Sequence, residues 1–144
     1  ILFINENNLL SIYTDIKERQ SYINKKHIES YNIKYFYIED GYDFFQIFRT
    51  IKKIIQYIKK KNRPAYIEIK SARYKEHVGI NDDNSYDAIN KKYLINWKKK
   101  DPLIQNKKLI NKYCEIIENE IKASVKYAEK SKFPKLKNLY TNVK

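Results

Sequence analysis

Residues 63–77 read Arg-Pro-Ala-Tyr-Ile-Glu-Ile-Lys-Ser-Ala-Arg-Tyr-Lys-Glu-His. After the proline, aromatic and β-branched residues dominate the first half of this segment, a composition typical of a strand. Its second half is polar and charged, and the glycine, asparagine and aspartate residues at 79–84 predict a turn-rich loop behind it. A buried strand followed by such a loop delivers reactive side chains to the carboxyl edge of a sheet, where open α/β sheets bind their ligands.

The segments before this strand predict that it belongs to a parallel sheet. Apolar residues at 1–5 predict a first strand, buried on both faces, and residues 35–38 predict a second. Residues 9–20 are expected to form an irregular loop, and residues 22–30 a short helix. A longer helix precedes the third strand, and Asp43 is placed to cap its start. Its predicted apolar face consists of Phe44, Ile47, Phe48, Ile51, Ile54, Ile55 and Ile58.

The order strand, helix, strand, helix, strand predicts an α/β fold, with a parallel sheet flanked by helices and right-handed crossovers. Beyond residue 86 the pattern is helical. Helices are predicted over 87–100 and 113–130, and Asp101, followed by proline, marks a helix start between them. We therefore expect two parts: a partial α/β domain over 1–86, and a helical extension over 87–144 that packs on it.

The charge balance leaves two classes of protein open. Thirty lysine and arginine residues against seventeen acidic residues give a net charge of +13. Such a charge is compatible with a basic nucleic-acid-binding or interaction module. The lysines, however, are dispersed over helix ends and solvent-facing positions and form no single stripe, which argues against nucleic-acid binding.

Cysteine content, hydropathy and the absence of methionine give expectations about the compartment and about whether the chain is part of a longer protein. Cys114 is the only cysteine, so no internal disulfide can form, and a reducing compartment fits: the cytoplasm, or an organellar matrix in a eukaryote. No apolar run approaches about 18 residues, so we expect no membrane span. The chain contains no methionine and opens at Ile1 on a strand-like run, which predicts that it is part of a longer protein.

Two loop tips carry side chains suited to metal and phosphate. Asn7 and Asn8 end the first strand. An Asn side-chain oxygen and a backbone carbonyl two residues on can face one cavity, and Mg²⁺ accepts such hard neutral oxygens. Arg73 suits phosphate because its guanidinium forms paired hydrogen bonds, and His77 can transfer a proton near neutral pH. The alternatives are an ordinary strand-terminating turn for the asparagines and a charged surface loop for the other two.

Two further features are interpreted as structural. Asp82, Asp83 and Asp87 form an acidic group without a regular metal-ligand spacing, so we expect a solvated turn. Gly41 is one of only two glycines, and we expect it at a backbone angle that other residues resist.

Taken in order, five short motifs resemble the carboxyl-terminal part of the alpha subunit of thiamine-diphosphate-dependent 2-oxo acid dehydrogenases. This family includes the pyruvate, branched-chain and acetoin enzymes, and the resemblance covers almost the whole chain. The motifs are Glu-Asn-Asn at the end of residues 1–8, Glu-Asp-Gly-Tyr-Asp at 39–43, Arg-Pro-Ala-Tyr-Ile-Glu at 63–68, Arg-Tyr-x-x-His at 73–77, and Trp-x-x-x-Asp-Pro-Leu-Ile at 97–104.

The resemblance implies part of a thiamine-diphosphate-binding fold and a set of residue roles. It implies that Asn8 gives a side-chain oxygen, and Leu10 a backbone carbonyl, to the Mg²⁺ that holds the cofactor diphosphate. Arg73 would contact the diphosphate and His77 would face the reacting carbon of the cofactor. The implied reaction is oxidative decarboxylation of a 2-oxo acid with acyl transfer to a lipoyl group.

The implied partners are a beta subunit, with which the alpha subunit forms a heterotetramer, and a lipoyl-bearing acyltransferase. Activity would require the beta subunit and the amino-terminal half of the alpha subunit. The motif around His77 departs from the family, where Gly-His-Ser is usual. Here Glu76 replaces the glycine and Val78 replaces the serine, so the serine that is phosphorylated in the family is absent. This departure leaves open a thiamine-diphosphate enzyme of acetoin or of sugar and polysaccharide metabolism.

Overall fold

The structure, a computed structural model, describes residues 1–82 and 91–141. In chain order its elements are β1 (Leu2–Asn7), β2 (Leu10–Ser11), β3 (Thr14–Asp15), α1 (Ile16–Arg19), α2 (Asn24–Ser30), β4 (Lys34–Ile38), α3 (Phe44–Lys61), β5 (Ala65–Lys70), α4 (Lys91–Lys100), α5 (Pro102–Gln105), α6 (Lys107–Lys130) and a 3-10 helix (Leu136–Tyr140). The chain forms two units, Ile1–Gln105 and Asn106–Lys144. The predicted boundary at residue 86 lies outside the described residues, and the packing of the extension stays a prediction.

The main sheet is parallel, which confirms the predicted fold class. β5 lies in the middle, with β1 on one side and β4 on the other. Along β5 the residues alternate: Ala65, Ile67 and Ile69 face the helix α3 and are buried, and the residues between them face the other way. Ile54 of α3 is completely buried against these strand residues. Burial of each such isoleucine contributes about 1.5–3 kcal/mol, so this layer holds the unit together.

The helix α3 begins as predicted. The Asp43 carboxylate accepts a hydrogen bond from the Gln46 backbone N–H at 2.9 Å, which is the geometry of a helix cap. The predicted apolar face is narrower than the sequence indicates, because Phe44, Phe48 and Ile55 are more than a third exposed. The residues that pack on the sheet together with Ile54 are Ile47, Ile51, Tyr57 and Ile58.

The opposite face of the sheet is aromatic and polar. Tyr35 of β4 stacks on Tyr66 of β5 with ring centroids 5.8 Å apart. Two residues further along β5, on the same face, the carboxylate of Glu68 accepts a hydrogen bond from Asn24, the first residue of α2. This second face therefore connects the end of the sheet to α2 through hydrogen bonds.

Two predictions for the amino-terminal part are wrong. Within the unit Ile1–Gln105, β1 is not buried on both faces, because Phe3 is 44% and Ile4 56% exposed; β1 lies at the edge of the described sheet, where only β5 flanks it. Residues 9–20 are not irregular. They contain the hairpin β2–β3 and the turn α1, whose start is capped by the Asp15 carboxylate.

The position of Gly41 is also explained differently from the prediction. Its backbone angle is an ordinary one, since among the described glycines only Gly79 has a positive φ. The reason is space: a Cβ at residue 41 would overlap the carbonyl oxygen of Lys70 and lie 2.9 Å from Cγ2 of Ile69. The turn before α3 therefore packs directly on the backbone at the end of β5.

We expect Gly41→Ala to destabilise the fold by about 1–3 kcal/mol, because the added methyl group must displace the backbone of β5. Urea unfolding followed by circular dichroism measures this as a lower midpoint with an unchanged slope. An unchanged midpoint would contradict the close approach of the two backbones.

The described helices after the loop follow the sequence pattern with one shift. Of the predicted helix 87–100, residues 87–90 lie outside the described part, and the rest forms α4. Asp101 caps α5 by accepting a hydrogen bond from the Leu103 N–H at 2.8 Å, as predicted. α6 begins six residues earlier than predicted, where Asn106 caps it through the Leu109 N–H at 3.1 Å. Among the described residues, no helix is both long and apolar enough to cross a membrane.

Candidate active site

The ends of β1 and β5 lie side by side at the carboxyl edge of the sheet. Asn7 pairs with Lys70 in the parallel register, and the Ser71 N–H donates to the Asn7 carbonyl at 2.9 Å. The two segments singled out from the sequence leave the sheet at this point. The parallel pairing of two adjacent strands therefore starts both segments at one edge, as the sequence predicted.

The segment that follows β1 is a turn built by its own asparagines. The Asn7 side-chain oxygen accepts from the Leu9 N–H at 2.9 Å, and the Asn8 side-chain oxygen accepts from the Leu10 N–H at 3.1 Å. Short amide side chains form such turns readily. Leu9 between them has a φ of 65°, in the left-handed region that branched residues rarely adopt. The local hydrogen bonds therefore hold an otherwise unfavourable backbone conformation.

Arg73 contacts the hairpin that continues this turn. Its Nη2 donates to the carbonyl oxygen of Ile12 at 2.6 Å, and its guanidinium lies 5.7 Å from the ring centroid of Tyr13. Ile12 and Tyr13 connect β2 to β3, two residues beyond Leu10. The structure thus brings Arg73 to the loop that also holds Asn8 and Leu10.

The residue after Arg73 fastens this segment to the helices behind it. The Tyr74 hydroxyl donates to the Asp101 carboxylate at 2.7 Å, and burial together with this hydrogen bond raises the pKa of Tyr74 above its usual range. Tyr93 of α4 donates to the Ser71 carbonyl at 2.9 Å. Trp97, which is 8% exposed, packs edge-on against Tyr42. The segment 71–74 is therefore held by α4 and by the cap of α5.

His77 lies further along, on an exposed loop. The Glu76 N–H donates to the Asn81 carbonyl at 3.0 Å, and Lys75 pairs with Asp82 at 2.8 Å, so the loop closes on itself around His77. The hydrogen bond from Lys75 lowers the pKa of Asp82. No contact of the His77 ring ties it to Asn8 or Arg73 in the described residues, and its role stays a prediction.

Only Asp82 of the predicted acidic group lies in the described part of the chain, so the interpretation of this group as a solvated turn stays a prediction. Asp82 is engaged by Lys75, and Asp83 and Asp87 lie outside the described residues. Within 1–82 and 91–141, no group of three or more histidine, cysteine or acidic side chains is placed to hold a metal ion. The assignment of the Asn8 side-chain oxygen and the Leu10 carbonyl as Mg²⁺ ligands stays a prediction.

One residue of the candidate site, Glu68, was not predicted from the sequence. Glu68 is 7% exposed, and its Oε1 accepts from the Asn7 side-chain Nδ2 at 2.6 Å. The signal was available: Glu68 is an acidic residue between two isoleucines of a buried strand, and a buried carboxylate must find donors. The sequence does not show which residues those donors are.

Comparison with known proteins agrees with this architecture. Residues 1–135 match the profile of the family described as "Dehydrogenase E1 component". The chain is 30% identical to the pyruvate dehydrogenase E1 component subunit alpha of Rickettsia felis, and 28% and 27% identical to those of Rickettsia typhi and Rickettsia bellii. Each alignment covers 99% of this chain and 46% of the relative, so the chain spans about half the length of these proteins. No solved structure matches the chain at a significant level. With nearly its whole length matched, the chain belongs to the dehydrogenase E1 component family.

Proposed function

We propose that this chain is part of the alpha subunit of a thiamine-diphosphate-dependent 2-oxo acid dehydrogenase. The reaction is the oxidative decarboxylation of a 2-oxo acid with acyl transfer to a lipoyl group. The observation that carries the proposal is the contact of Arg73 with the Ile12 carbonyl, 2.6 Å long, at the loop that holds Asn8 and Leu10. This contact supports the proposal because it brings the proposed phosphate-binding side chain to the same edge of the sheet as the two proposed cation ligands.

The donor set fits a magnesium diphosphate. Asn8 and Leu10 would provide two neutral oxygens, and the diphosphate itself and a carboxylate would complete the coordination of Mg²⁺. The Asn8 oxygen accepts from the Leu10 N–H at 3.1 Å, and an amide oxygen with two lone pairs can accept this bond and bind a cation together. Arg73 carries five donors in a planar fork, so it can bridge a backbone carbonyl and a phosphate.

The residues of this chain would bind and orient the cofactor and move a proton. Asn8 and Leu10 would hold the metal, Arg73 would neutralise the diphosphate, and His77 would donate or accept a proton at the reacting carbon. Thiamine diphosphate, when bound, supplies the electron-accepting ring that decarboxylation requires. Exposed His77 on its loop reaches this position only with the rest of the protein present, including a beta subunit in a heterotetramer.

The partners and the compartment follow from the same proposal. The acyl acceptor is a lipoyl-bearing acyltransferase, and the compartment is the cytoplasm or an organellar matrix. Neither a metal centre of the protein's own side chains nor a disulfide is required, and Cys114 is an exposed free thiol.

The test uses the full-length protein co-expressed with its beta subunit. Isothermal titration should show thiamine diphosphate binding that requires Mg²⁺, and a 2-oxo acid should then reduce an artificial electron acceptor. A panel of pyruvate, branched-chain 2-oxo acids and acetoin identifies the substrate class. Failure of the assembled complex to bind thiamine diphosphate in the presence of Mg²⁺ would overturn the proposal.

A further inference from the structure

The buried Glu68 carboxylate collects three neutral donors beneath the candidate site. Oε1 accepts from Asn7 Nδ2 at 2.6 Å, while Oε2 accepts from Asn24 Nδ2 at 2.9 Å and from the Tyr35 hydroxyl at 2.8 Å. Glu68 is 7% exposed, and a carboxylate buried to this extent needs hydrogen-bond donors in place of water. Glu68 lies two register pairs before the end of β5, and its carboxylate reaches Asn7, the last residue of β1 before the turn.

An ionised carboxylate only accepts hydrogen bonds, and this fixes the orientation of both amides. Asn7 must turn its NH₂ group towards Glu68 and its oxygen away from it. That oxygen accepts the Leu9 N–H at 2.9 Å. Asn24 is oriented in the same way, and its oxygen accepts from Gln20 Nε2 at 2.9 Å. Glu68 therefore determines which atom of Asn7 faces the turn.

The turn needs this support because of Leu9. Its φ of 65° is disfavoured for a branched side chain, and such a conformation persists only where its surroundings enforce it. Leu9 lies between Asn8 and Leu10, so its backbone conformation sets the direction of both of their oxygens. The Leu9 N–H donates to the Asn7 side-chain oxygen at 2.9 Å, and the Leu9 carbonyl accepts from the Ile16 N–H at 3.0 Å, so these two hydrogen bonds hold the conformation, the first of them through Asn7.

We infer that Glu68 is a positioning residue, which places the magnesium-binding oxygens of Asn8 and Leu10 by orienting the side chain of Asn7. This inference rests on the proposed function, since it assigns Glu68 a purpose in binding the magnesium diphosphate. Outer-shell partners of this kind orient metal ligands, and their loss typically lowers metal affinity about 10- to 100-fold.

The deciding variant is Asn7→Asp in the full-length alpha subunit assembled with its beta subunit. An aspartate at residue 7 can still accept the Leu9 N–H, so a purely local turn would tolerate it. The same aspartate would, however, face the Glu68 carboxylate, at a position where the Asn7 Nδ2 of the wild type lies 2.6 Å from Glu68 Oε1. Two carboxylates would then face each other without a donor between them. We expect the affinity for Mg²⁺ and thiamine diphosphate, measured by isothermal titration, to fall about 10- to 100-fold.

The Asn7→Asp/Glu68→Gln double variant exchanges the donor and the acceptor between positions 7 and 68, so a hydrogen bond between these two side chains can form again. The amide NH₂ at position 68 donates to the carboxylate at position 7, and its oxygen still accepts from Asn24 and Tyr35. We expect the dissociation constant of this variant to return to within about threefold of wild type. Tyr35→Phe is the matched control, because it removes one donor from Glu68 without touching Asn7, and its dissociation constant should also stay within about threefold.

Each outcome decides a different point. Unchanged affinity in Asn7→Asp, no recovery in the double variant, or an equal loss in Tyr35→Phe would overturn the positioning role. If Asn7→Asp alone does not assemble, recovery of assembly and binding in the double variant supports the inference, and its failure to recover overturns it. A wild-type complex that binds no magnesium diphosphate would remove the proposed function instead, before any variant is compared.

Discussion

We expect His77→Ala to lower the turnover number of the assembled enzyme about 10²- to 10⁴-fold, the usual contribution of a positioned acid or base. The proposed function places the imidazole at the reacting carbon, while Asn8, Leu10 and Arg73 bind the diphosphate end of the cofactor. Because His77 is exposed on a loop that closes through Lys75 and Asp82, its removal leaves the core intact. Affinity for the magnesium diphosphate should therefore change far less than turnover.

The second histidine provides the control. His27 lies on α2, where its ring packs against Tyr22 at 4.7 Å and Tyr31 at 5.3 Å between centroids. His27→Ala makes the same chemical change away from the candidate site and should retain wild-type turnover. Steady-state kinetics at saturating cofactor and titration of cofactor binding separate the two effects. Unchanged turnover in His77→Ala removes this residue from the mechanism, and a loss confined to cofactor affinity assigns it to binding.

The sequence predicted the sheet because two local signals agreed. The alternation of Ala65, Ile67 and Ile69 with polar and aromatic residues along β5 marks one apolar face. The cap at Asp43 and the apolar spacing of α3 mark the helix that covers it. Where the expectation was wrong, tertiary contacts decided. Gly41 is required by the backbone of β5, which is distant in sequence, and not by its own backbone angle.

The hairpin β2–β3 could not be predicted for a similar reason. A two-residue connection usually contains glycine or asparagine, which tolerate a positive φ. Here Ile12 occupies the connection with a φ of 62°, so the usual signal is missing. The connection is supported instead by the contact of Arg73 with the Ile12 carbonyl, which joins residues 61 positions apart.

The position of the candidate site at the sheet edge could be predicted from the sequence, but the hydrogen bonds that hold its residues could not. Parallel strands all end at the same edge of a sheet, so Asn8 and Arg73 could be placed at one edge from the sequence, whereas the adjacency of β1 and β5 could not. The link between Glu68 and Asn7 also spans 61 positions and depends on the register of two parallel strands. A single sequence does not contain that register, and for this reason it does not predict the hydrogen bonds of Glu68.

We expect Asn8→Ala to weaken Mg²⁺-dependent binding of thiamine diphosphate about 100-fold or more. The loss of an outer-shell partner already costs about 10- to 100-fold, and this variant removes a proposed ligand itself. It also removes the hydrogen bond to the Leu10 N–H, 3.1 Å long, so the orientation of the second ligand is lost as well. Higher Mg²⁺ concentrations should recover part of the binding, because the remaining ligands are weakened and not abolished.

Two companion variants separate a lost ligand from a damaged fold. Asn8→Asp retains an oxygen for the Leu10 N–H and for the metal, so we expect it to bind within about tenfold of wild type. Asn111→Ala makes the same substitution as Asn8→Ala on the helix α6, at an exposed position, and should bind as wild type does. Titrations of the magnesium diphosphate into the three assembled complexes test this order. Equal affinity in Asn8→Ala and Asn111→Ala would show that the metal is held elsewhere, and the turn after β1 would then serve only to end the strand.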